Sequence, residues 1–342
     1  MGQPQKWIEG YEKDPASVSL DDLPAQWVKD GVLQQIGLET IGACNSKCVF
    51  CEWGNDPNVI ITRLRTGEKI VRKHGKIDLS LIDAIFEKHP QLCSVTFTGL
   101  CEPFLAPDRM VYIADKLAKR NNASMAMYTN GNLFDETSYR ILLASGLLKF
   151  FSVSLNAGTT ATRMKVMNLP FEPAFANLKR AIEIRDEMGL TDQCKICSSF
   201  MICPQNREEE GLFKAKVGML FKKYKNVEGG CVFHATNWNG KVKDYWMVPH
   251  RGPEKGGYCR QWECLVPTIS VEGEVYHCCY TDRWSYGSIL DDAACKAWAR
   301  RNAIAKVNSA YTETFPTEMC GDCSHKFTLD YAGACTWTGG KP

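Results

Sequence analysis

Short apolar segments alternate with amphipathic segments over the first two thirds of the chain. The apolar segments have the length and composition of buried strands, at residues 36–40, 95–99, 125–129, 151–155, 196–202 and 232–235. The segments between them have helical periodicity, at residues 79–88, 107–121, 136–145, 173–188 and 207–225. Such alternation is typical of β-α units around a parallel sheet. The pattern predicts an α/β fold, specifically a partial (β/α)6 TIM-like barrel that is open on one side.

The alternation stops after residue 235, where Gly, Pro, Trp and Cys become frequent. We therefore predict a boundary near residue 236. The predicted parts are an N-terminal extension (1–35), the partial barrel (36–236) and a small α+β domain (237–342). In the last part, residues 268–270 and 274–277 are predicted to form a hairpin, and residues 291–307 a helix.

Charge and cysteine content narrow the class of protein. The 41 Lys and Arg against 39 Asp and Glu give a net charge of +2 without a basic run, so nucleic acid is not the expected partner. Seventeen cysteines indicate either a secreted disulfide framework or a thiol-rich metalloprotein. Neither a secretory signal nor an apolar run of about 20 residues is found. We expect a cytoplasmic protein, away from membranes, whose reduced thiols are available to metal.

Three cysteines follow the first predicted strand in the segment CNSKCVFC, namely Cys44, Cys48 and Cys51. Three thiolates on one loop can hold three irons of a 4Fe-4S cluster and leave the fourth iron open for chemistry. The carboxyl end of a barrel strand is also where catalytic groups collect. A zinc loop, or three unrelated buried thiols, remains the alternative interpretation.

The C-x3-C-x2-C spacing, with Phe50 before the last cysteine, resembles the radical S-adenosylmethionine (SAM) superfamily. The resemblance implies that the amino and carboxylate groups of SAM chelate the open iron. It also implies that an electron from the cluster cleaves SAM to methionine and a 5'-deoxyadenosyl radical.

The ends of the next three strands also resemble this family. TFTGLCEP is similar to its G-G-E-P segment, with Leu100 and Cys101 as departures, and YTNGN and SVSLNA follow in the family's order. Ordinary strand-to-helix loops and an Asn-Gly turn are the structural alternatives. The SAM contacts that the resemblance implies are Phe50, Gly99, Glu102, Asn130, Ser154, Asn156 and Lys165.

A second cysteine pattern, C-x13-G-x4-C followed by a distant C-x2-C, resembles the SPASM/twitch auxiliary-cluster domain, and the shorter twitch version fits better. The resemblance implies a second 4Fe-4S cluster on Cys259, Cys278, Cys320 and Cys323. A four-cysteine zinc site is the alternative. Cys264, Cys279 and Cys335 are further candidate ligands.

The expected function follows from these resemblances. A cluster that accepts an electron favours net oxidation, and the single-cluster layout resembles aminocyclitol- and sugar-modifying enzymes of the 2-deoxy-scyllo-inosamine dehydrogenase type. We expect an oxidoreductase that acts on a hydroxyl-bearing small molecule and receives electrons from a flavodoxin or ferredoxin. The alternatives are an epimerase of a sugar or peptide, a maturase of ribosomal peptides, and a non-catalytic iron-sulfur or zinc module. Candidate catalytic groups near strand ends are Cys101, Cys231 and His234.

Overall fold

The computed structural model describes residues 32–52, 58–234, 266–278 and 281–309. Within them lies one sheet of 11 strands. The strands are β1 (Gln35–Leu38), β2 (Ile60–Arg63), β3 (Lys69–Val71), β4 (Ser94–Phe97), β5 (Ser124–Thr129), β6 (Leu148–Ser154), β7 (Lys195–Ile202), β8 (Val227–His234), β9 (Thr268–Ile269), β10 (Glu274–Cys278) and β11 (Thr281–Ser288).

The described helices connect these strands. They are α1 (Leu79–Lys88), α2 (Pro107–Leu117), α3 (Glu136–Ala144), α4 (Thr160–Met167), α5 (Phe171–Glu187), α6 (Glu210–Phe221) and α7 (Asp292–Ser309). Single 3-10 turns cover Pro103–Leu105 and Arg207–Glu209. No described helix has both the length and the apolar character needed to cross a membrane.

Six strands form the parallel part of the sheet, in the chain order β1-β4-β5-β6-β7-β8. Helices α1 to α6 fall between successive parallel strands, which confirms the predicted α/β class. Barrel curvature and the domain boundaries remain predictions.

The two faces of the parallel strands differ in composition because side chains alternate across a strand. One face is apolar and belongs to the main core with residues of the helices, as Phe97, Met127 and Val153 illustrate. Fully burying one such side chain contributes about 1.5–3 kcal/mol. The alternate positions include small and polar residues such as Thr96 and Ser152, together with the aromatic Tyr128 and Phe150. This second face is the more polar of the two, and we call it the polar face.

The C-terminal strands extend the same sheet beyond β1. Strand β9 pairs in parallel with β1, with Leu38 opposite Ile269, and β10 and β11 follow as antiparallel neighbours. The pairing of Ile269 with Val275 confirms the predicted hairpin. Strands β2 and β3 complete the edge next to β11.

The sequence prediction differs from the structure at three main places. Strand β8 begins at Val227, earlier than predicted, because Gly229 carries no strand signal. A Cβ at Gly229 would lie 2.8 Å from the Phe221 side chain, so glycine lets α6 approach the strand. The sequence prediction also lacked helix α4 and the strands β2, β3 and β11. Helix α4 was missed because it is short, contains Thr and has little apolar periodicity.

Candidate active site

The loop that carries Cys44, Cys48 and Cys51 follows β1 and is held by the end of α4. The Lys47 N–H donates to the Met167 carbonyl at 3.0 Å, and the Val49 N–H to the Val166 carbonyl at 2.9 Å. The Ser46 hydroxyl donates to the Met167 carbonyl at 2.7 Å. The last carbonyls of a helix have no partners within the helix, so the cysteine loop fills this role for α4.

The three thiols are half-buried, and polar groups lie close to two of them. The Ser46 N–H lies 3.4 Å from Sγ of Cys44, and the Ser46 hydroxyl lies 3.0 Å from Sγ of Cys48. The Asn130 amide lies 3.9 Å from Sγ of Cys44. Burial raises the pKa of Cys44 and Cys48 to about 12, so binding of a metal must displace their protons.

These thiols have the chemistry that a 4Fe-4S cluster requires of its ligands. All three lie on one loop and are half-buried. A four-iron cluster gives each thiolate its own iron, so its ligands do not converge on one point. Donors near Cys44 and Cys48 suit sulfur atoms that become thiolates on ligation.

Glu102 connects the cysteine loop with the ends of β4 and β5. Its N–H donates to the Ala43 carbonyl at 3.0 Å, and its carboxylate accepts from the Thr129 hydroxyl at 2.6 Å and the Asn130 N–H at 2.8 Å. Burial raises its pKa to about 7, although these hydrogen bonds oppose the shift. Glu102 thus braces the loop, and its contact with SAM stays a prediction.

The turn before Glu102 is fixed by Glu39. Gly99 has a φ of +114°, and a Cβ there would lie only 2.5 Å from the Glu39 side chain. The Leu100 N–H donates to Oε1 of Glu39 at 2.7 Å. Glycine is required at position 99 by both the backbone conformation and this close approach.

Arg163 joins the ends of β5 and β6, and sequence reasoning missed it. Its guanidinium is fully buried, and within the described residues it donates to oxygens of neutral groups. These are the carbonyls of Leu155 at 2.9 Å, Pro170 at 2.6 Å, Ser154 at 3.2 Å and Asn130, and the Asn132 side chain. Burial lowers its pKa to about 10. The sequence does contain a signal that could have identified Arg163. It is a charged residue that shares one face of α4 with the apolar Val166 and Met167.

Lys165, two residues later, was the cation that the resemblance singled out. The structure places it on the exposed side of α4, while Arg163 is buried. Its predicted contact with SAM remains a prediction.

Asn156 follows β6 with a left-handed backbone at φ +54°. Its side-chain oxygen accepts from the Met201 N–H at 2.7 Å, and its amide lies 3.4 Å from Sδ of Met167. The buried Asn206, also missed from the sequence, donates to the Asn156 carbonyl at 2.9 Å and to the Met201 carbonyl at 2.8 Å. The two asparagines therefore hold the ends of β6 and β7 together.

The remaining described candidates lie around the same loop. Ser154 is half-buried, 3.4 Å from the Ser199 hydroxyl. Phe50 is buried in an apolar cluster with Val166 and Cys203, against which Cys48 and Cys51 also pack. Cys101 is half-buried, with its sulfur 3.7 Å from the Thr98 carbonyl, and burial, together with Glu39, raises its pKa well above the ordinary value.

Several predicted site residues cannot be placed at side-chain level. Cys231 and His234 belong to β8 and Cys278 ends β10, but their side chains lie outside the described part of the structure. The remaining candidates of the second cluster lie outside the described residues, namely Cys259, Cys264, Cys279, Cys320, Cys323 and Cys335.

A family model described as "Radical SAM superfamily" matches residues 38–214, which include the cysteine loop and the ends of β4 to β7. The chain belongs to the radical SAM superfamily. Membership indicates an enzyme and implies a 4Fe-4S cluster and SAM, which the thiol loop fits. No curated protein shows significant similarity to the chain.

Solved structures of similar fold include other proteins with bound SAM. BtrN in complex with AdoMet and 2-DOIA is 16% identical over 86% of this chain and 94% of its own, with a TM-score of 0.50. The anSMEcpe structure with AdoMet and the Kp18Cys peptide is 15% identical, covering 85% and 88%, with a TM-score of 0.52. Streptococcus suis SuiB bound to its precursor peptide SuiA is 13% identical, covering 88% and 71%, with a TM-score of 0.55. At these identities the likeness concerns the radical SAM fold alone.

Proposed function

We propose that this radical SAM enzyme oxidises a hydroxyl group of a small molecule, a sugar or an aminocyclitol, in the cytoplasm. The observation that carries the proposal is the cysteine loop, clamped between α4 and Glu102 beside three strand ends. In the proposed enzyme, Cys44, Cys48 and Cys51 bind the cluster that SAM completes. When bound there, the cluster and SAM would supply a 5'-deoxyadenosyl radical, which is the species that takes a hydrogen atom from the substrate.

The polar face of the sheet supports a small hydroxylated substrate. Ser154 and Ser199 lie together on this face at the carboxyl end of the strands. Lower on the same face, Tyr128 contacts Phe150 with ring centroids 5.6 Å apart, and Tyr128 is 40% exposed. Hydroxyl groups can bind the polar edges of a sugar ring, while an aromatic face packs against its C–H groups.

The proposed oxidation needs three separate acceptors. The substrate carbon that bears the hydroxyl loses a hydrogen atom to the radical, the hydroxyl loses a proton to solvent, and one electron leaves to a second cluster. We propose that Cys259, Cys278, Cys320 and Cys323 bind that cluster as a twitch-type domain. A flavodoxin or ferredoxin supplies the electron for SAM cleavage. The likeness to BtrN, which was solved with 2-DOIA, supports the oxidation of a small molecule as the proposed reaction.

Peptide modification is the second candidate. SuiB bound to SuiA, and anSMEcpe with its peptide, match this chain with TM-scores of 0.55 and 0.52. A third version is epimerisation, in which a thiol returns hydrogen to the opposite face of the substrate radical. We propose the half-buried Cys101, in the turn after β4, as a candidate for this thiol.

The first experiment tests the class of enzyme. Wild type and the Cys44→Ala/Cys48→Ala/Cys51→Ala variant are reconstituted anaerobically, and iron, sulfide and 5'-deoxyadenosine are measured after addition of SAM and dithionite. We expect about eight irons in wild type and about four in the variant, with deoxyadenosine made by wild type alone. The matched control is Cys93→Ala/Cys194→Ala, which removes thiols away from the loop and should keep both values. Zinc in place of iron, or intact clusters without SAM cleavage, would contradict the proposal.

The second experiment separates the reactions. Sugars and aminocyclitols deuterated at their hydroxyl-bearing carbons are offered, and the deuterium content of 5'-deoxyadenosine is measured by mass spectrometry. Deuterium transfer with a ketone product supports oxidation. Replacement of the substrate deuterium by solvent-derived hydrogen, in a product of unchanged oxidation state, would support epimerisation, and turnover with peptides alone would support the peptide alternative.

A further inference from the structure

Three buried polar side chains meet behind the turn that contains Gly99 and Leu100. Glu39 follows β1, Arg72 follows β3, and Tyr276 lies on β10. The side chains of Glu39 and Arg72 are fully buried, with Nη2 of Arg72 2.9 Å from Oε2 of Glu39. Nη1 of Arg72 donates to the Tyr276 hydroxyl at 2.8 Å, and that hydroxyl lies 3.5 Å from Oε2 of Glu39.

This group holds both backbone polar atoms of Leu100. The Leu100 N–H donates to Oε1 of Glu39 at 2.7 Å, and the Leu100 carbonyl accepts from Nη2 of Arg72 at 3.2 Å. One carboxylate and one guanidinium therefore hold the two consecutive peptide groups on either side of the Leu100 Cα, just before Glu102. Rotation of that turn would leave two buried backbone groups without their partners, which is costly.

Stability alone is a weak reason for such an arrangement. Removing two charges from water is expensive, and a buried ion pair is often no more stabilising than apolar side chains of the same size. What the pair supplies is directional hydrogen bonding at a defined point of the backbone. A role in geometry therefore explains it better than a role in stability.

The group also spans distant parts of the chain. Tyr276 is more than 200 residues from Glu39 and Arg72 in sequence, and it lies on the strand that ends at Cys278. The only hydroxyl in the group thus belongs to the C-terminal strands, and it touches both charged partners. The Arg72 guanidinium therefore has one of its described hydrogen-bond partners on β10.

We propose that Tyr276 is a positioning residue that couples the C-terminal strands to the SAM-binding turn through Arg72 and Glu39. Its hydroxyl holds the ion pair in the geometry that orients the two peptide groups on either side of Leu100. The inference rests on the proposed function in one respect, namely that SAM binds at this turn. It adds that SAM affinity is set in part by a side chain of β10.

The test compares Tyr276→Phe with Tyr139→Phe. Tyr139 is equally buried, and its hydroxyl donates to the Ala181 carbonyl at 3.4 Å in the helix-packed core, away from the cysteine loop. Three quantities are measured on each protein: hydrogen exchange of the Leu100 amide without cofactor, the melting temperature, and the SAM dissociation constant from the change in the cluster's EPR spectrum.

We expect Tyr276→Phe to speed exchange at Leu100 and to weaken SAM binding about tenfold, as the loss of one hydrogen bond to a charged group predicts. Tyr139→Phe should leave both quantities at wild-type values. Equal exchange and equal SAM affinity in the two variants would overturn the inference while leaving the proposed function intact. A lower melting temperature or iron content for Tyr276→Phe, with unchanged SAM affinity, would also overturn it by indicating a purely structural role. Wild type that keeps its cluster but binds no SAM would contradict the proposed function itself, and the inference with it.

Discussion

A buried arginine lies at each end of the parallel strands. We call the two ends the carboxyl edge and the amino edge of the sheet. At the carboxyl edge, Arg163 donates to backbone carbonyls that follow β5 and β6. At the amino edge, Arg185 donates to the carbonyls of Cys194 at 2.9 Å and Lys225 at 2.7 Å, just before β7 and β8. Both guanidiniums are completely buried. A buried arginine thus fixes the spacing of neighbouring strands at each end of the sheet.

The edges differ in what else the arginine supports. Arg185 has a charged partner, Asp186, at 2.8 Å, and its described backbone hydrogen bonds go to the connections that lead into β7 and β8. Arg163 belongs to α4, whose last carbonyls hold the cysteine loop. The comparison indicates that the contacts of Arg185 at the amino edge stabilise the fold. The contacts of Arg163 at the carboxyl edge stabilise both the fold and the candidate site, which in β/α folds usually lies at that end.

The largest expected effect comes from Arg163→Lys against Arg185→Lys. Lysine keeps the charge but cannot reach several carbonyls at once, so each change should lower the free energy of unfolding by about 3 kcal/mol. Only Arg163→Lys should also lower the iron bound at the cysteine loop. Denaturant unfolding of the metal-free proteins and iron analysis after reconstitution measure the two effects. Equal iron loss in Arg185→Lys would break the comparison.

A smaller effect is expected from Asn206→Ala against Asn226→Gly. Asn206 makes three buried hydrogen bonds at the carboxyl edge, so its loss should lower the free energy of unfolding by about 2 kcal/mol. Displacement of Asn156 should also weaken SAM binding.

The control variant is Asn226→Gly at the amino edge. Asn226 has a φ of +48°, which glycine adopts readily, so the variant loses one hydrogen bond to the Thr191 carbonyl and keeps its backbone. We expect about 1 kcal/mol and unchanged SAM affinity, as measured by denaturation and by titration with SAM. A matching loss of SAM affinity in Asn226→Gly would show that the edges are not separate.

The smallest effect concerns pH at the amino edge. His89 follows α1, and its Nε2 lies 3.0 Å from the Ile289 carbonyl. Burial lowers its pKa below the ordinary value of 6.5. The unfolded chain therefore takes up a proton before the folded protein does, and stability should fall as the pH drops from about 6.5 through the lowered pKa. Comparing the pH dependence of unfolding of the metal-free wild type and His89→Gln isolates this contribution. A wild-type profile that parallels the variant would contradict it.

Sequence reasoning recovered the features that depend on local pattern. The cysteine spacing, the ends of the parallel strands and the turn at Gly273 follow from periodicity and residue type. It did not find Glu39, Arg163 or Asn206, because their partners are supplied by other elements of the fold. It chose the exposed Lys165 over the buried Arg163, since residue type alone does not reveal which face of a short helix is buried. The four ligands proposed for the second cluster remain a sequence prediction.

The position of β1 in the sheet also has a consequence for synthesis of the chain. This strand leads directly into the cysteine loop, and it pairs with β4 on one side and with β9 on the other. Its second row of hydrogen bonds cannot form until residues 268–269 have left the ribosome, long after Cys51 has done so. Pairings of such large sequence separation form late in folding. During translation the three thiols are therefore carried by a strand that keeps one open side until β9 has emerged.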